Sequence, residues 1–365
     1  MNFSFLKLTL TLLTSLIKSQ NAFLPIIPQA ILPEALLLVR SPLLQGSALN
    51  SMLEFFQAIV QNSFPGLDYE ELVQRLKQPI YHPNRNQNLT LHKQAYYSIA
   101  KCMAAISIVD ENQAIISVKN LLADIKNFRD FDCVQVFALL AVGEIGKMID
   151  LSSVSEVKSV IIESFNSSSE EVKSAASFAL GSVSVGNLIE YLPFVLSEIE
   201  TRQKRQYLLL HSLKEIISCQ SVNPTMIQLL EPHLNSIWNL LLKHSQCSEE
   251  GTRNVVAECM GKLTLIKPHE LLPKLVSYLT WDSALARSTV VTAMKFTITD
   301  QVQPIDSLLR NCIGEFFKTL EDPDLNVRRV ALVAFNSAAH NKPSLIRDLL
   351  DNILPLLYNE TKIRV

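Results

Sequence analysis

The sequence predicts an all-α protein, an α–α superhelix of HEAT/armadillo-type repeats. Three observations carry that expectation. One helical pattern recurs nine times, with apolar or small side chains at offsets 0, 3, 4, 7, 8 and 11 of a single helix face. The recurrences lie about 40 residues apart, the period of two-helix solenoid units. The chain is 48% hydrophobic yet holds 9 glycines in 365 residues, so phosphate-cradling glycine loops and tight hairpins are scarce.

Along the chain, the first recurrence covers 5–16, with Phe5, Leu8, Thr9, Leu12, Leu13 and Leu16 facing inward; it reads as a second helix with no first helix before it. Looser copies follow at 49–60 and 92–103. Val134, Phe137, Ala138, Ala141, Val142 and Ile145 fit closely, as do Val172, Ala175, Ala176, Ala179, Leu180 and Val183. A loose copy over 205–216 precedes a close one at Thr252, Val255, Val256, Cys259, Met260 and Leu263. Residues 286–297 fit loosely, and Val327, Val330, Ala331, Ala334, Phe335 and Ala338 fit closely. Ile363-Arg364 then stands where the next copy would start.

Each copy is the second helix of a pair. First helices show a Leu-Pro-apolar start or bend at Leu192-Pro193-Phe194, Leu272-Pro273-Lys274-Leu275 and Leu354-Pro355-Leu356. Polar turns at 166–171, 248–250 and 321–324 supply N-cap oxygens, and place carboxylates where the helix dipole favours them. Asp324 and Arg328 are four apart and can pair on the helix surface. Two stretches break the rhythm: 79–88 reads as a polar surface loop, and 218–228 lengthens one interval. The expectation is one continuous solenoid over 1–365, about eight to nine repeats, truncated at both ends because neither carries a polar capping repeat.

Thirty-three Lys+Arg against 35 Asp+Glu give a net charge of −2 without a basic block, which argues against nucleic acid as a partner. The opening apolar run carries Lys7, lacks a small-x-small cleavage site and is too short to span a membrane. The sequons at Asn88, Asn166 and Asn359 are chance matches in an intracellular chain. Six cysteines without paired spacing suggest buried free thiols in a reducing compartment. His244, Cys247 and Cys259 offer three zinc ligands without a fourth, and Cys259 belongs to an inward face. His211 and His340 fall in helices, and no Walker loop, HExxH or Gly-x-Ser-x-Gly is present. Neither catalysis nor a cofactor, metal, small-molecule ligand or membrane is expected.

Longer runs are more specific than the period. Glu170-Glu171-Val172-Lys173-Ser174-Ala175-Ala176 within 170–188 is one, and Lys204-Arg205-Gln206-Tyr207-Leu208-Leu209 within 204–217 another. Glu249-Glu250-Gly251-Thr252-Arg253-Asn254 and Glu321-Asp322-Pro323-Asp324-Leu325-Asn326-Val327-Arg328-Arg329 join them, with 40–46 and 336–350 extending the match. Together they resemble the cullin-associated neddylation-dissociated protein family, also described as TATA-binding-protein-interacting, over nearly the whole chain. The resemblance is to the later-middle part of the family. It implies a scaffold of the cytoplasm and nucleus. Such a scaffold binds cullin–RING ubiquitin ligase cores lacking the ubiquitin-like modifier and exchanges their substrate-receptor modules, with TATA-binding protein as a second partner. Candidate contacts are the polar residues beside second helices, Arg253, Asn254, Arg328 and Arg329; the plainer alternative for them is a solvated face or pairing within a repeat. Another HEAT scaffold, a nuclear-transport receptor or phosphatase-scaffold relative, is the alternative role.

Overall fold

A computed structural model describes residues 3–19, 26–62, 64, 67–82, 91–220, 224–298 and 305–362. The chain divides into two compact units, 1–192 and 193–365. Among the described residues there is no β-strand, only an isolated bridge between Phe64 and Leu67.

The first unit holds α1 (Phe3–Lys18), α2 (Leu32–Val39), α3 (Gly46–Gln61), α4 (Tyr69–Tyr81) and α5 (Lys93–Ser107). It continues through α6 (Glu111–Asn127), α7 (Asp132–Gly146), α8 (Glu156–Ser164), α9 (Glu170–Gly186) and the start of α10 (Leu188–Thr201). Helices α1, α3, α5, α7 and α9 lie side by side in sequence order as one layer, and α4, α6 and α8 each pair with the helix that follows. All six pattern positions of α7 and all six of α9 are buried. Each large aliphatic among them contributes about 1.5–3 kcal/mol by leaving water. Backbones meet where α7 crosses α9: a Cβ on Gly186 would lie 2.0 Å from the Gly146 carbonyl oxygen and 2.6 Å from that of Ile149. Asp68 and Asp110 cap α4 and α6, their carboxylates accepting from Glu71 N at 2.8 Å and Gln113 N at 3.1 Å.

The second unit holds α11 (Gln206–Gln220), α12 (Pro224–Leu230), α13 (Leu234–His244), α14 (Glu250–Ile266) and α15 (Pro268–Ser277). After these come α16 (Ala284–Thr297), α17 (Asp306–Lys318), α18 (Leu325–Asn341), α19 (Pro343–Arg347) and α20 (Leu350–Lys362). Here α11, α14, α16 and α18 form the second-helix layer, with α13 against α14 and α17 against α18. Pattern positions of α14 and α16 are all buried. In α18, Val327, Ala331, Ala334 and Ala338 are buried while Val330 and Phe335 are half-covered, Phe335 meeting Phe317 edge-on at 5.3 Å. Pro193, Pro273 and Pro355 each sit inside their helices rather than before them. The residues on which the solenoid expectation turns, Ala138, Ala176, Val256 and Ala331, are fully buried.

Three expectations are corrected. The inward face of α1 is Leu6, Leu10, Thr14 and Ile17, one residue along from the pattern; Phe5, Leu8, Leu12 and Leu16 are exposed, Phe5 at 71%. The inward face of α3 is likewise shifted one residue back, to Ala48, Ser51, Met52, Phe55, Phe56 and Ile59. The loop expected at 79–88 begins later, because α4 carries Pro79 within it and buries Ile80; residues 83–88 lie outside the described residues, as does Asn88. The lengthened interval 218–228 is largely helical, shared by α11 and α12, with 221–223 outside the described residues. Ile363 and Arg364 also lie outside them.

Candidate protein-interaction surface

One position, the second of the helical pattern, has a use that reading by residue type missed. Arg253 Nη1 donates to the carbonyl oxygens of Cys247 at 2.6 Å and Ser248 at 2.8 Å, in the turn before its own helix. Arg287 Nη1 does the same to Trp281 at 2.7 Å and Asp282 at 3.0 Å, and Arg328 Nη1 to Asp322 at 2.8 Å and Pro323 at 3.2 Å. Gln135 Nε2 reaches the Arg129 carbonyl at 2.9 Å from the same position. These carbonyls belong to a turn and have no intrahelical partner, so a long donor folded back onto them removes the cost of leaving them unpaired. Recurrence of a long donor directly after the first pattern residue was the available signal.

For two of the candidate contact residues that geometry is the plainer alternative, pairing within a repeat. Arg253 is buried, 7% exposed, and its guanidinium is committed to its turn. Arg328 is half-buried and similarly engaged. Arg287, not singled out from sequence, extends the device. Its Nε and Nη2 donate to the two carboxylate oxygens of Asp322 at 2.8 and 2.9 Å, fastening one inter-helix turn to the next. Burial alone would raise the Asp322 pKa; Arg287 and the Asp324 N–H more than offset it, and the carboxyl stays below its ordinary value.

Asn254 and Arg329, by contrast, are exposed on the second-helix layer of their unit. Arg329 Nη2 meets Glu250 Oε1 at 3.0 Å, so α18 reaches α14 over the top of α16. A shallow recess beneath is lined by Asn254, Ser288, Thr292, Asn326 and Val330. The first unit repeats the arrangement. Lys93 Nζ of α5 pairs with Glu171 Oε1 of α9 at 2.7 Å across α7, and Tyr97 meets Phe178 edge-on at 5.8 Å along the same line. Gly143 permits the second contact, since a Cβ there would come 3.1 Å from the Phe178 ring. Under the ion pair lies a recess of about 200 Å³ with Tyr96, Tyr97, Val136, Leu140 and Ala175 as its walls. Both ion pairs are largely exposed and contribute about 0–1 kcal/mol, so a partner can displace them at little cost. In the first unit, an apolar recess under a weak polar cover, on a layer of regular helices, is a surface suited to anchoring a protein side chain; the recess of the second unit is smaller and mostly polar.

The titratable groups are disposed structurally. Burial pushes the Cys259 thiol up to about 12 and that of Cys312 to about 11, with Cys102 raised further, so these are thiols at neutral pH. Cys259 Sγ faces the Leu210 carbonyl, while His244 lies by Gln206, so the sequence trio with Cys247 has no common centre. Burial, helped by Lys214 and Lys243 respectively, lowers His211 and His244 and keeps both neutral. Among the described residues no group of three or more His, Cys, Asp or Glu could hold a metal ion, and no helix is long and apolar enough to cross a membrane.

The chain is 52% identical over 367 residues to Cullin-associated NEDD8-dissociated protein 1 of Drosophila melanogaster, covering 98% of this chain and 29% of that protein. It is 43% identical over 358 residues to Cullin-associated NEDD8-dissociated protein 2 of Mus musculus, with the same two coverages. Identity to Cullin-associated NEDD8-dissociated protein 1 of Arabidopsis thaliana is 42% over 362 residues, again 98% of this chain and 29% of that protein. The chain thus spans 29% of the length of these curated relatives. A solved chain from a study of Kap95p binding to RanGDP covers 95% of this chain, and 47% of its own length, at a TM-score of 0.44 and 14% identity, too loose a likeness to bear on fold or role. No family model matches the chain.

Proposed function

Since this chain belongs to the family of Cullin-associated NEDD8-dissociated proteins, we propose that it is part of a non-catalytic scaffold for cullin–RING ubiquitin ligase cores. The scaffold binds the cullin in its unneddylated state together with the RING subunit, and regulates ligase assembly by exchanging substrate-receptor modules. The proposal includes the continuous solenoid over 1–365, action in both cytoplasm and nucleus, and TATA-binding protein as a second partner. Identity above 40% across 98% of the chain, to relatives named for cullin association, is the observation that carries it. The exposed second-helix layers add support, offering long regular surfaces for many modest contacts. On this reading Asn254 and Arg329 touch the partner in the second unit, with Lys93 and Glu171 in the first, while Arg253 and Arg328 serve by holding their turns.

A pull-down with immobilised chain tests it. Bare cullin–RING core is retained and NEDD8-conjugated core is not; Arg329→Glu and Lys93→Glu each reduce retention while leaving the melting temperature unchanged. Retention of the conjugated form alone, or of neither form, refutes the proposal.

A further inference from the structure

The turns that lead into α11 and α14 bring cations together on one edge of the second unit. Arg202, Lys204 and Arg205 occupy the turn before α11, and Lys243 lies in the last turn of α13 beside His244. The two turns touch, Gln206 Nε2 lying 3.4 Å from His244 Nε2. Lys204 and Lys243 are exposed, and among the described residues neither has a carboxylate partner. Arg202 reaches Glu198 only at 3.8 Å.

The C-terminal dipoles of α10 and α13 favour one nearby cation each, but Arg202, Lys204 and Arg205 also stand directly before the positive end of α11, where cations are disfavoured. Elsewhere in this unit Lys262 pairs with Glu258 and Lys274 with Glu270, while among the described residues the exposed Lys295 meets only the Phe296 ring. A local excess of positive charge on a chain of net charge −2 is a directional feature.

We propose that this edge docks an acidic polypeptide segment, whose Asp and Glu side chains supply the carboxylates that Lys204 and Lys243 lack. Glu198 and Glu200, on the last turns of α10, flank the patch. They repel a continuous phosphate backbone, whereas a peptide can place its carboxylates between them. The site uses turn residues outside the second-helix faces assigned to the cullin, and stands or falls independently of that assignment.

The test is fluorescence anisotropy of a fluorescein-labelled polyglutamate peptide titrated with the whole chain. The Lys204→Glu/Lys243→Glu double variant weakens binding by about fivefold or more, and added salt weakens binding to the unaltered chain. Lys119→Glu/Lys295→Glu makes the same charge change at exposed positions elsewhere, and shifts binding by less than about twofold. Thermal melts establish that both variants fold. No binding by the unaltered chain, equal losses in the two variants, or tighter binding of single-stranded DNA of matched charge overturns the proposal.

Discussion

Replacing Arg287 with methionine probes the turn-fastening arginines where they carry most. The substitution keeps an aliphatic stem but deletes two donors to the α15–α16 turn and both donors to Asp322. In the pair, the Arg287 and Asp322 side chains are only 12% and 7% exposed, so water does not replace what is lost. Removing one member of a buried ion pair costs about 3–5 kcal/mol. Asp322 keeps its bond from the Asp324 N–H at 2.9 Å, which favours the lower end, about 3 kcal/mol. The pH dependence has a definite sign. In the unaltered chain the Asp322 carboxyl is held below its ordinary value, so the stability it brings is complete above that value and is lost as pH falls through the depressed one. In the variant, burial acts without Arg287 and raises the carboxyl, so the folded variant takes up a proton before the unfolded one does. Its deficit is therefore largest at neutral pH and narrows toward about pH 5 and below. Urea denaturation at neutral and acid pH, with Asp322→Asn and the double variant closing a cycle, measures both effects. A deficit under about 1 kcal/mol at neutral pH, or one that does not change on acidification, refutes the reasoning.

Leu6→Asp in α1 destabilises by several kcal/mol, about 3 or more, whereas Leu8→Asp at a 67% exposed position changes stability by less than about 0.5 kcal/mol; the order of the two melting temperatures reads the register directly. Gly186→Ala places a Cβ against the Gly146 carbonyl and lowers stability by about 1–3 kcal/mol, seen as an earlier urea midpoint at unchanged slope. Ala331→Glu overpacks a fully buried seam position with a charge and costs several kcal/mol, and an unchanged melt returns that helix face to solvent. Thiol titration with an aromatic disulfide at pH 7.5 leaves Cys102 and Cys259 unmodified in the native chain and labels them in urea; rapid native labelling contradicts their burial.

The repeat was legible wherever apolar residues occupy one helix face alone. In α9 and α14 polar or small residues separate the faces, and every pattern position is buried, although Ser182 and Ser184 of α9 and Arg253 and Ala257 of α14 are buried off the pattern. In α1 nearly every residue from Phe5 to Ile17 is apolar or threonine, so two adjacent faces fit equally well and only contact with α3 decides between them. Ala48 and Phe55 of α3 lie one residue off the 49–60 pattern, which places the polar Gln57 on its inward face. The arginines were ambiguous for another reason. Charge suggests exposure, but a guanidinium folded back six residues finds carbonyls that no helix supplies with donors, and burial follows from that bond. The clasps formed by Lys93 with Glu171 and Arg329 with Glu250 join residues nearly two periods apart, a distance at which a linear pattern carries no pairing information.

Contacts that skip a helix alter how such an array comes apart. A stack held only by adjacent neighbours can lose its units singly from an end, each step costing one interface. The edge-on Tyr97–Phe178 contact and the Lys93–Glu171 bond tie α5 to α9 over Gly143. Losing α9 therefore loosens α5 as well as α7. Opening of α9 is thus coupled to opening of α5, and amides in the two helices gain or lose protection together more closely than adjacent-neighbour contacts alone would make them.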